Sequence, residues 1–328
     1  MEDALFPPAP RKIEFDSDRG MWVFSRYADV LAALREPALR PVSAKKSKNV
    51  KVPDEAALRD LRARVLEAFS PANLLRWQAL IERAAHELRA GGPIDLVGEF
   101  VEPLCAGAAE IVTGAKQAHR ERLLELAKTV SRAAAEPFDE DLRVAATRAD
   151  AELEKYFAGA AIPMAASTFV ALARTTSCLL ANGWLALLRH PAELAELREQ
   201  PEQIPKAVEE ILRYACLPQM VFRYVPAPLM LCGRQFSEGD RLVLRLASAN
   251  RDPEQFADAG RFYPARREVS HLALGFGPHA CAGGALIRMV AATGTRLFVE
   301  RFAFAEVAGP VEWRGGPGFR SVAALCLR

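Results

Sequence analysis

The amino-acid sequence predicts a mainly α protein that has a small β component and one long central helix. Three observations lead to this prediction. Most of the chain carries apolar residues at helical spacing, the pattern of strands is confined to two regions, and residues 165–189 are apolar on nearly every face. Because a helix that is apolar all round must be buried on all sides, we expect it to run through the middle of the molecule.

The first half of the chain contains one strand followed by a series of helices. The strand is predicted at 21–25, where the sequence is MWVFS, and it leads directly into a helix at 27–34. Ser70-Pro71 and Gly91-Gly92 are stop signals that separate the next helices. These are predicted at 55–68, 74–90, 97–113, 119–135 and 139–158. A polar segment with four lysines, residues 41–53, is predicted to be a surface loop.

The second half of the chain returns to strands after the central helix ends at His190-Pro191. Two short helices are predicted at 192–199 and 205–214, and strands at 220–224, 229–232 and 241–246. A loop punctuated by glycines follows at 271–283 and leads into a helix at 284–299. Residues 312–313 and 322–327 are predicted to form a terminal hairpin.

The composition excludes several classes of protein. With 43 basic and 41 acidic residues, the formal net charge of +2 gives no basis for nucleic-acid binding. The apolar stretch at 157–188 is interrupted by Pro163, Arg174 and Asn182, so no membrane span is predicted. The N-terminus lacks a signal-peptide pattern, and the six cysteines form no CxxC pair. We therefore expect a cytoplasmic protein that does not bind membranes.

The segment with the clearest chemistry is HLALGFGPHACAGG, where a single cysteine lies between glycines just before a helix. A helix N-terminus directs N–H groups toward the sulfur of Cys281 and favours its thiolate form. Gly277 and Gly283 allow the backbone to turn tightly around that sulfur. His279 can face an anionic group of the same ligand. The pattern indicates either a thiolate metal ligand or a nucleophile.

This segment resembles the haem-binding loop of the cytochrome P450 family, which has the form Phe-x-x-Gly-x-(Arg/His)-x-Cys-x-Gly. Gly277, His279, Cys281 and Gly283 match that form, whereas Leu274 stands at the position of the phenylalanine.

Three further segments resemble the same family, in the same order. Glu210-Ile-Leu-Arg213 is similar to its Glu-x-x-Arg pair, which would form a buried network with Arg266 and support the haem loop. Residues 249–253 are similar to the irregular meander of the family, and the predicted central helix is similar to its long central helix. The resemblance implies a P450-like fold in which residues 1–328 form one domain.

The resemblance also implies a cofactor and its ligands. Haem b would bind with Cys281 as the axial ligand of its iron, and Arg62, Arg223 and His279 would contact its propionates. The family often has a histidine four residues before the first of these arginines. Because Leu58 stands there in this chain, we expect one propionate to be held more weakly.

The chain departs from the family in its central helix, where an acid usually precedes a threonine that helps to activate oxygen. Thr175 is present, but the position of the acid holds Arg174. An arginine stays charged and cannot relay protons as a carboxylate does. It can bind a carboxylate through two hydrogen bonds, as in the fatty-acid peroxygenase branch of the family. The alternative is that Arg174 points out of the pocket or pairs with a helix acid.

The chain is also shorter than is usual in the family, before the central helix and after residue 41. Those segments normally roof the substrate pocket. We therefore expect an open distal side, a carrier or partner protein that covers it, or a large or tethered substrate.

Three functions follow from these patterns. The first is a monooxygenase that hydroxylates or couples a small molecule, with electrons from a ferredoxin-type partner. The second is a peroxide-driven oxygenase, a dehydratase or an isomerase, in which Arg174 holds an acidic substrate. The third is a non-catalytic module that binds haem or docks a carrier.

Overall fold

The structure is a computed structural model and describes residues 9, 11–41, 55–89, 92–267 and 270–328. Residues 42–53, which are all but the first residue of the predicted lysine-rich loop at 41–53, lie outside the described residues. Among the described residues, no helix has the length and hydropathy that a membrane span requires.

Helices make up most of the described chain, as predicted. They are α1 (Tyr27–Arg35), α2 (Glu55–Ala68), α3 (Pro71–Ala85), α4 (Glu102–Thr113), α5 (Arg120–Ala135), α6 (Glu140–Tyr156), α7 (Ala165–Val170), α8 (Ser177–Leu188), α9 (Pro191–Glu199), α10 (Ile204–Tyr214), α11 (Leu246–Ala249) and α12 (Gly284–Phe302). A π-helical turn precedes α4 at Val97–Val101, and another, Ala171–Thr176, joins α7 to α8.

The strands are short and lie toward the two ends of the chain. They are β1 (Glu14–Asp16), β2 (Met21–Phe24), β3 (Arg40–Pro41), β4 (Ile94–Asp95), β5 (Val221–Tyr224), β6 (Leu229–Leu231), β7 (Arg234–Phe236), β8 (Arg241–Leu244), β9 (Glu312–Gly315), β10 (Arg320–Ala324) and β11 (Cys326–Leu327). The main sheet has the order β1-β2-β8-β5-β3, and β2 and β8 pair in parallel. This pairing joins the start of the chain to the strands beyond the central helix.

The predicted terminal hairpin is correct for β9 and β10 but not for the last residues of the chain. Cys326 and Leu327 leave the hairpin and pair with β4 as a separate strand, β11. The sequence alone could not predict this partner, because a two-residue strand has no alternating pattern.

The central helix runs through the core, as its composition predicts. Residues 165–188 are helical throughout, and almost every side chain of α8 is buried. Trp184 stacks on Phe298 of α12 with ring centroids 4.7 Å apart. At Gly183, a Cβ atom would lie 2.4 Å from Ile211 Cγ2, so this glycine allows α10 to pack closely against the central helix.

A buried charge network fixes α10 to the irregular segment that follows α11. Arg213 makes two hydrogen bonds of 2.7 and 2.8 Å to Glu210. It also donates to the carbonyl oxygens of Asn250, Ala259 and Arg261 at 2.8–2.9 Å. Arg266 is the third member, as predicted, with its Nε 3.4 Å from Glu210 Oε2. The network therefore holds the irregular segment through three of its backbone carbonyl oxygens.

Candidate active site

The loop that carries Cys281 is shaped by its backbone. Gly275 and Gly277 both have a positive φ, +69° and +70°. The N–H of Cys281 donates to the carbonyl oxygen of Leu274 at 2.8 Å, which closes the turn, and α12 begins directly after Gly283. The side chain of Leu274 lies over the start of α12. The structure thus presents a single thiol at the beginning of a long helix, as predicted.

Gly277 is required by a close approach as well as by its backbone angle. A Cβ atom at this position would lie 2.6 Å from the carbonyl oxygen of Leu34, at the end of α1. Gly277→Ala is therefore expected to shift the loop and to lower the free energy of unfolding by about 1–3 kcal/mol. Urea unfolding of the two proteins measures this difference. An unchanged unfolding midpoint in Gly277→Ala would contradict the close approach. Gly233→Ala is the control, because the φ of Gly233 is also positive but its Cβ would meet nothing within 4 Å. This control therefore measures the effect of backbone strain without the contact.

The pKa of the Cys281 thiol reflects opposing influences. Burial of the sulfur raises its pKa, and this is the largest influence, although the residue as a whole is exposed on one side. The N–H of Gly283 and the charges of Arg62 and Arg288 lower the pKa. The predicted effect of the helix N-terminus is therefore present in the N–H of Gly283, but burial outweighs it.

Glu209 of α10 holds both ends of this loop. His271 Nε2 lies 3.1 Å from Glu209 Oε2, and Arg288 Nε donates to Oε1 at 2.7 Å. His271 begins the loop and Arg288 lies in α12 just after it. Burial alone would raise the pKa of Glu209, but the hydrogen bonds from His271 and Arg288 lower it to about 2.

This pKa predicts a loss of stability in acid. Because the pKa of Glu209 is lower in the folded state than its ordinary value of 4.5, its contribution is complete above pH 4.5 and is lost as the pH falls toward 2. We expect Glu209→Gln to be less stable than the parent at neutral pH, and the difference to shrink over that interval. Urea unfolding at several pH values tests this. A difference in stability that does not depend on pH would contradict the prediction. Glu306→Gln is the matched control, because Glu306 pairs with Arg328 at an exposed site.

Two arginines and a histidine lie around the loop without an acidic partner. Arg223 is buried on β5, and its Nη1 donates only to the carbonyl oxygen of Phe222, at 2.9 Å. Burial lowers the pKa of His279, and the nearby charges of Arg223 and Arg40 lower it further. Arg62 Nη1 donates to the carbonyl oxygen of Ala280 at 2.9 Å. In the described part of the chain no carboxylate forms an ion pair with Arg62, Arg223 or His279. The loop therefore offers a site for an anion.

The central helix changes to π geometry at Ala171–Thr176, the segment that carries Arg174 and Thr175. Thr176 Oγ1 donates to the carbonyl oxygen of Ala171 at 2.9 Å, and Ser177 Oγ donates to that of Arg174 at 3.1 Å. Thr175 lies half-buried within this turn. The turn packs against α4 and α12, so the helix that starts at the thiol loop also contacts the segment that carries Thr175. Such π turns often occur at functional sites.

Arg174 is bound by an acid that the sequence did not single out. Its Nη1 lies 3.1 Å from Glu102 Oε1, at the start of α4, and Arg314 Nη2 of β9 donates to the same oxygen at 2.7 Å. Arg174 thus pairs with a helix acid, which is one of the two alternatives open from the sequence. The available signal was that Arg174 is the only charged residue of the predicted central helix before Arg189 at its end. A buried charge of this kind needs a partner.

The turn between α5 and α6 packs against the terminal hairpin and the main sheet. The N–H of Gly318, at the tip of the β9–β10 hairpin, donates to the carbonyl oxygen of Ala135 at 2.9 Å. Phe138 packs edge-on against Phe222 of β5, with ring centroids 5.7 Å apart. The short connection at 157–164 then leads into the central helix.

Comparison with known proteins identifies this architecture. The family model described as Cytochrome P450 matches residues 164–312. The chain is 38% identical over 167 residues to the biotin biosynthesis cytochrome P450 of Bacillus subtilis, an alignment that spans 49% of this chain and only 42% of that relative. It is 28% identical over 363 residues to cytochrome P450 107B1 of Saccharopolyspora erythraea, spanning 94% of this chain and 89% of the relative. The chain is similar to the cytochrome P450 family over residues 164–312 and, at 28% identity, over nearly its whole length.

The solved structures agree with this family. A crystal structure of P450BioI in complex with hexadec-9Z-enoic acid ligated acyl carrier protein superposes with a TM-score of 0.82 at 24% identity, covering 94% of this chain and 91% of that one. The P450 fold predicted from the sequence is confirmed. Haem b is the cofactor of that family.

The residues around the loop fit this cofactor. Haem offers an iron that takes a thiolate ligand and two propionates that need cations. The structure has one accessible thiol on the loop and a buried arginine, Arg223, that lacks a carboxylate partner within the described ranges. Gly277 leaves no room for a side chain beneath the loop, so the loop keeps its shape. Thiol and cations therefore occur together where a haem would need them.

Proposed function

We propose that the protein is a haem-thiolate monooxygenase that hydroxylates or oxidatively couples a small molecule. The observation that carries this proposal is Cys281, fixed on a glycine turn at the start of α12 beside Arg62, Arg223 and His279. When bound, the haem supplies the activation of oxygen, since a thiolate ligand favours cleavage of the O–O bond.

The proposal assigns a role to each residue of the site. Cys281 holds the iron through its sulfur, and Leu274 and Gly277 keep the loop around that sulfur in shape. Arg223 and His279 bind propionate oxygens, and Arg62 does so while its Nη1 holds the carbonyl oxygen of Ala280. Since burial already lowers the pKa of Arg223, a propionate beside it would relieve the cost of burying this charge.

Thr175 is the proposed catalytic hydroxyl of the central helix. Its side chain can accept and donate one hydrogen bond, so Oγ1 can hold a proton at the distal side. Arg174 does not relay protons, because a guanidinium remains charged and its Nη1 is bound to Glu102. Proton supply through Arg174 is therefore not part of the proposal.

Two kinds of partner belong to the proposal. A monooxygenase needs electrons, for which a ferredoxin-type protein is the proposed donor. The substrate is a small molecule, and a carrier-linked substrate is supported by the structural neighbour that is a complex with a fatty-acid-ligated acyl carrier protein. A carrier bound at the shortened roof would cover the distal side.

Turnover tests the function. Purified protein is given a surrogate ferredoxin, its reductase and oxygen, together with each compound that shifts the haem absorption. The expected product has gained one oxygen atom or joins two substrate units, and Thr175→Ala is expected to lower its yield relative to the electrons consumed. No product with any such compound would overturn the proposal. Product formed only with added peroxide would favour the peroxide-driven alternative.

A further inference from the structure

The ion pair of Arg174 bears on the class of substrate that the proposed enzyme accepts. Arg174 immediately precedes Thr175, and its side chain is only 12% exposed. A guanidinium in this position is suited to bind one carboxylate. In the structure that carboxylate is supplied by the protein, because Glu102 Oε1 lies 3.1 Å from Arg174 Nη1.

The carboxylate of Glu102 is fixed from two sides. Arg174 of the central helix and Arg314 of β9 both contact its Oε1. Burial alone would raise the pKa of Glu102, but these two arginines together lower it, so the carboxylate stays ionised at neutral pH. Glu102 also lies where the π-helical turn at Val97–Val101 continues into α4, and its own N–H donates to the carbonyl oxygen of Val97. The acid is thus held in its charged form and in one place.

The same contacts tie the π-helical turn to the C-terminal hairpin. Glu102 links Arg174 to Arg314, and farther along the central helix Asn182 Nδ2 donates to the carbonyl oxygen of Arg320 at 2.9 Å. The N–H of Val322 in turn donates to Asn182 Oδ1. A substrate acid that bound Arg174 through Nη1 would have to displace Glu102 and leave Arg314 without this partner. One that bound Arg174 Nε, which has no hydrogen-bond partner among the described residues, would place its charge beside that of Glu102. Both arrangements are costly, because the first leaves a half-buried charge unpaired and the second brings two carboxylates together.

We infer that Glu102 is a positioning residue that occupies Arg174 and thereby restricts the distal pocket to substrates without a free carboxylate near Thr175. Alcohols, hydrocarbons and acyl thioesters meet this condition, whereas free fatty acids do not. The inference rests on the proposed function, because it concerns the substrate of the same site.

Ligand binding tests this inference without turnover. The probes are dodecanoic acid and dodecanol, and the readout is the ratio of their affinities measured by titration calorimetry. Glu102→Gln keeps the size of the side chain but removes its charge, so Arg174 becomes available. The ratio is expected to shift toward the acid by about tenfold or more, since a hydrogen bond to a charged group contributes that much. The double variant Glu102→Gln with Arg174→Gln is expected to lose this gain.

Two further variants keep the test decisive. Glu110→Gln is the matched control, because Glu110 also lies on α4 and also pairs with an arginine, Arg120, that is outside the central helix. It is expected to leave the ratio unchanged. Arg174→Gln alone is expected to leave the acid affinity of the parent unchanged, and this variant remains informative if Glu102→Gln does not fold.

Three outcomes would overturn the inference. They are an unchanged ratio in folded Glu102→Gln, a gain that persists in the double variant, and a loss of acid affinity of about tenfold or more in Arg174→Gln. Failure of the proposed function is recognised separately, because it would appear as a missing thiolate spectrum in the parent protein whatever the ligand ratios are.

Discussion

Replacing Cys281 by serine is expected to abolish the red-shifted Soret band of the reduced carbon monoxide complex. A serine hydroxyl is a far weaker acid than a thiol and cannot supply the thiolate electron density on which the band depends. The shape of the loop should persist, since its turn is closed by the N–H of residue 281 and not by the side chain. We expect complete loss of the band with little change in the unfolding midpoint.

The control for this experiment is another exposed cysteine. Cys326 lies on β11 and is also accessible, so Cys326→Ser is expected to keep the full band. If the band remained in Cys281→Ser, the assignment of the iron ligand would be wrong. If both variants lost it, the effect would be one of folding, and the unfolding midpoints would show this.

Replacing Arg213 by methionine is expected to be the most destabilising single change outside the loop. The side chains of Arg213 and Glu210 are 1% and 2% exposed, so the variant leaves a buried carboxylate without its main partner. Breaking a buried pair costs about 3–5 kcal/mol, which is a large part of the 5–15 kcal/mol by which a typical domain is stable. The carbonyl oxygens of Asn250 and Ala259 also lose this donor, whereas that of Arg261 keeps Arg266. We expect little folded protein at 37 °C.

Urea unfolding compares this variant with a surface pair. Arg122 and Glu152 join α5 to α6 in the same bidentate geometry, but both are exposed. Arg122→Met is therefore expected to have no measurable effect, because water screens the pair. Equal unfolding midpoints for Arg213→Met and Arg122→Met would contradict the structural role of the buried network.

The thiol loop and the long helices could be predicted from the sequence because their signals are local. Cys281 lies among glycines directly before a helical pattern, and the spacing of Glu210 and Arg213 places both on one face of a helix. The buried central helix followed from its composition alone. For these features the residues that form the structure are also neighbours in the chain.

The partners of Arg174 could not be predicted because they are remote in sequence. Glu102 lies 72 residues earlier and Arg314 lies far beyond, on the terminal hairpin, so no local spacing connects them. The same holds for β3, β4 and β11, whose two residues each are too short to show a strand pattern. These strands pair because the packing of the longer helices and strands brings their residues together.

The most direct test of the proposed haem-thiolate centre is the absorption spectrum of the purified protein, first in the ferric state and then reduced under carbon monoxide. We expect the red-shifted Soret band of a thiolate-ligated haem, because Cys281 and the arginines near its loop, Arg62 and Arg223, would form a site for that cofactor. A folded protein that bound no haem when supplied with it, or bound haem without this band, would contradict the proposal that Cys281 is the ligand of a haem iron.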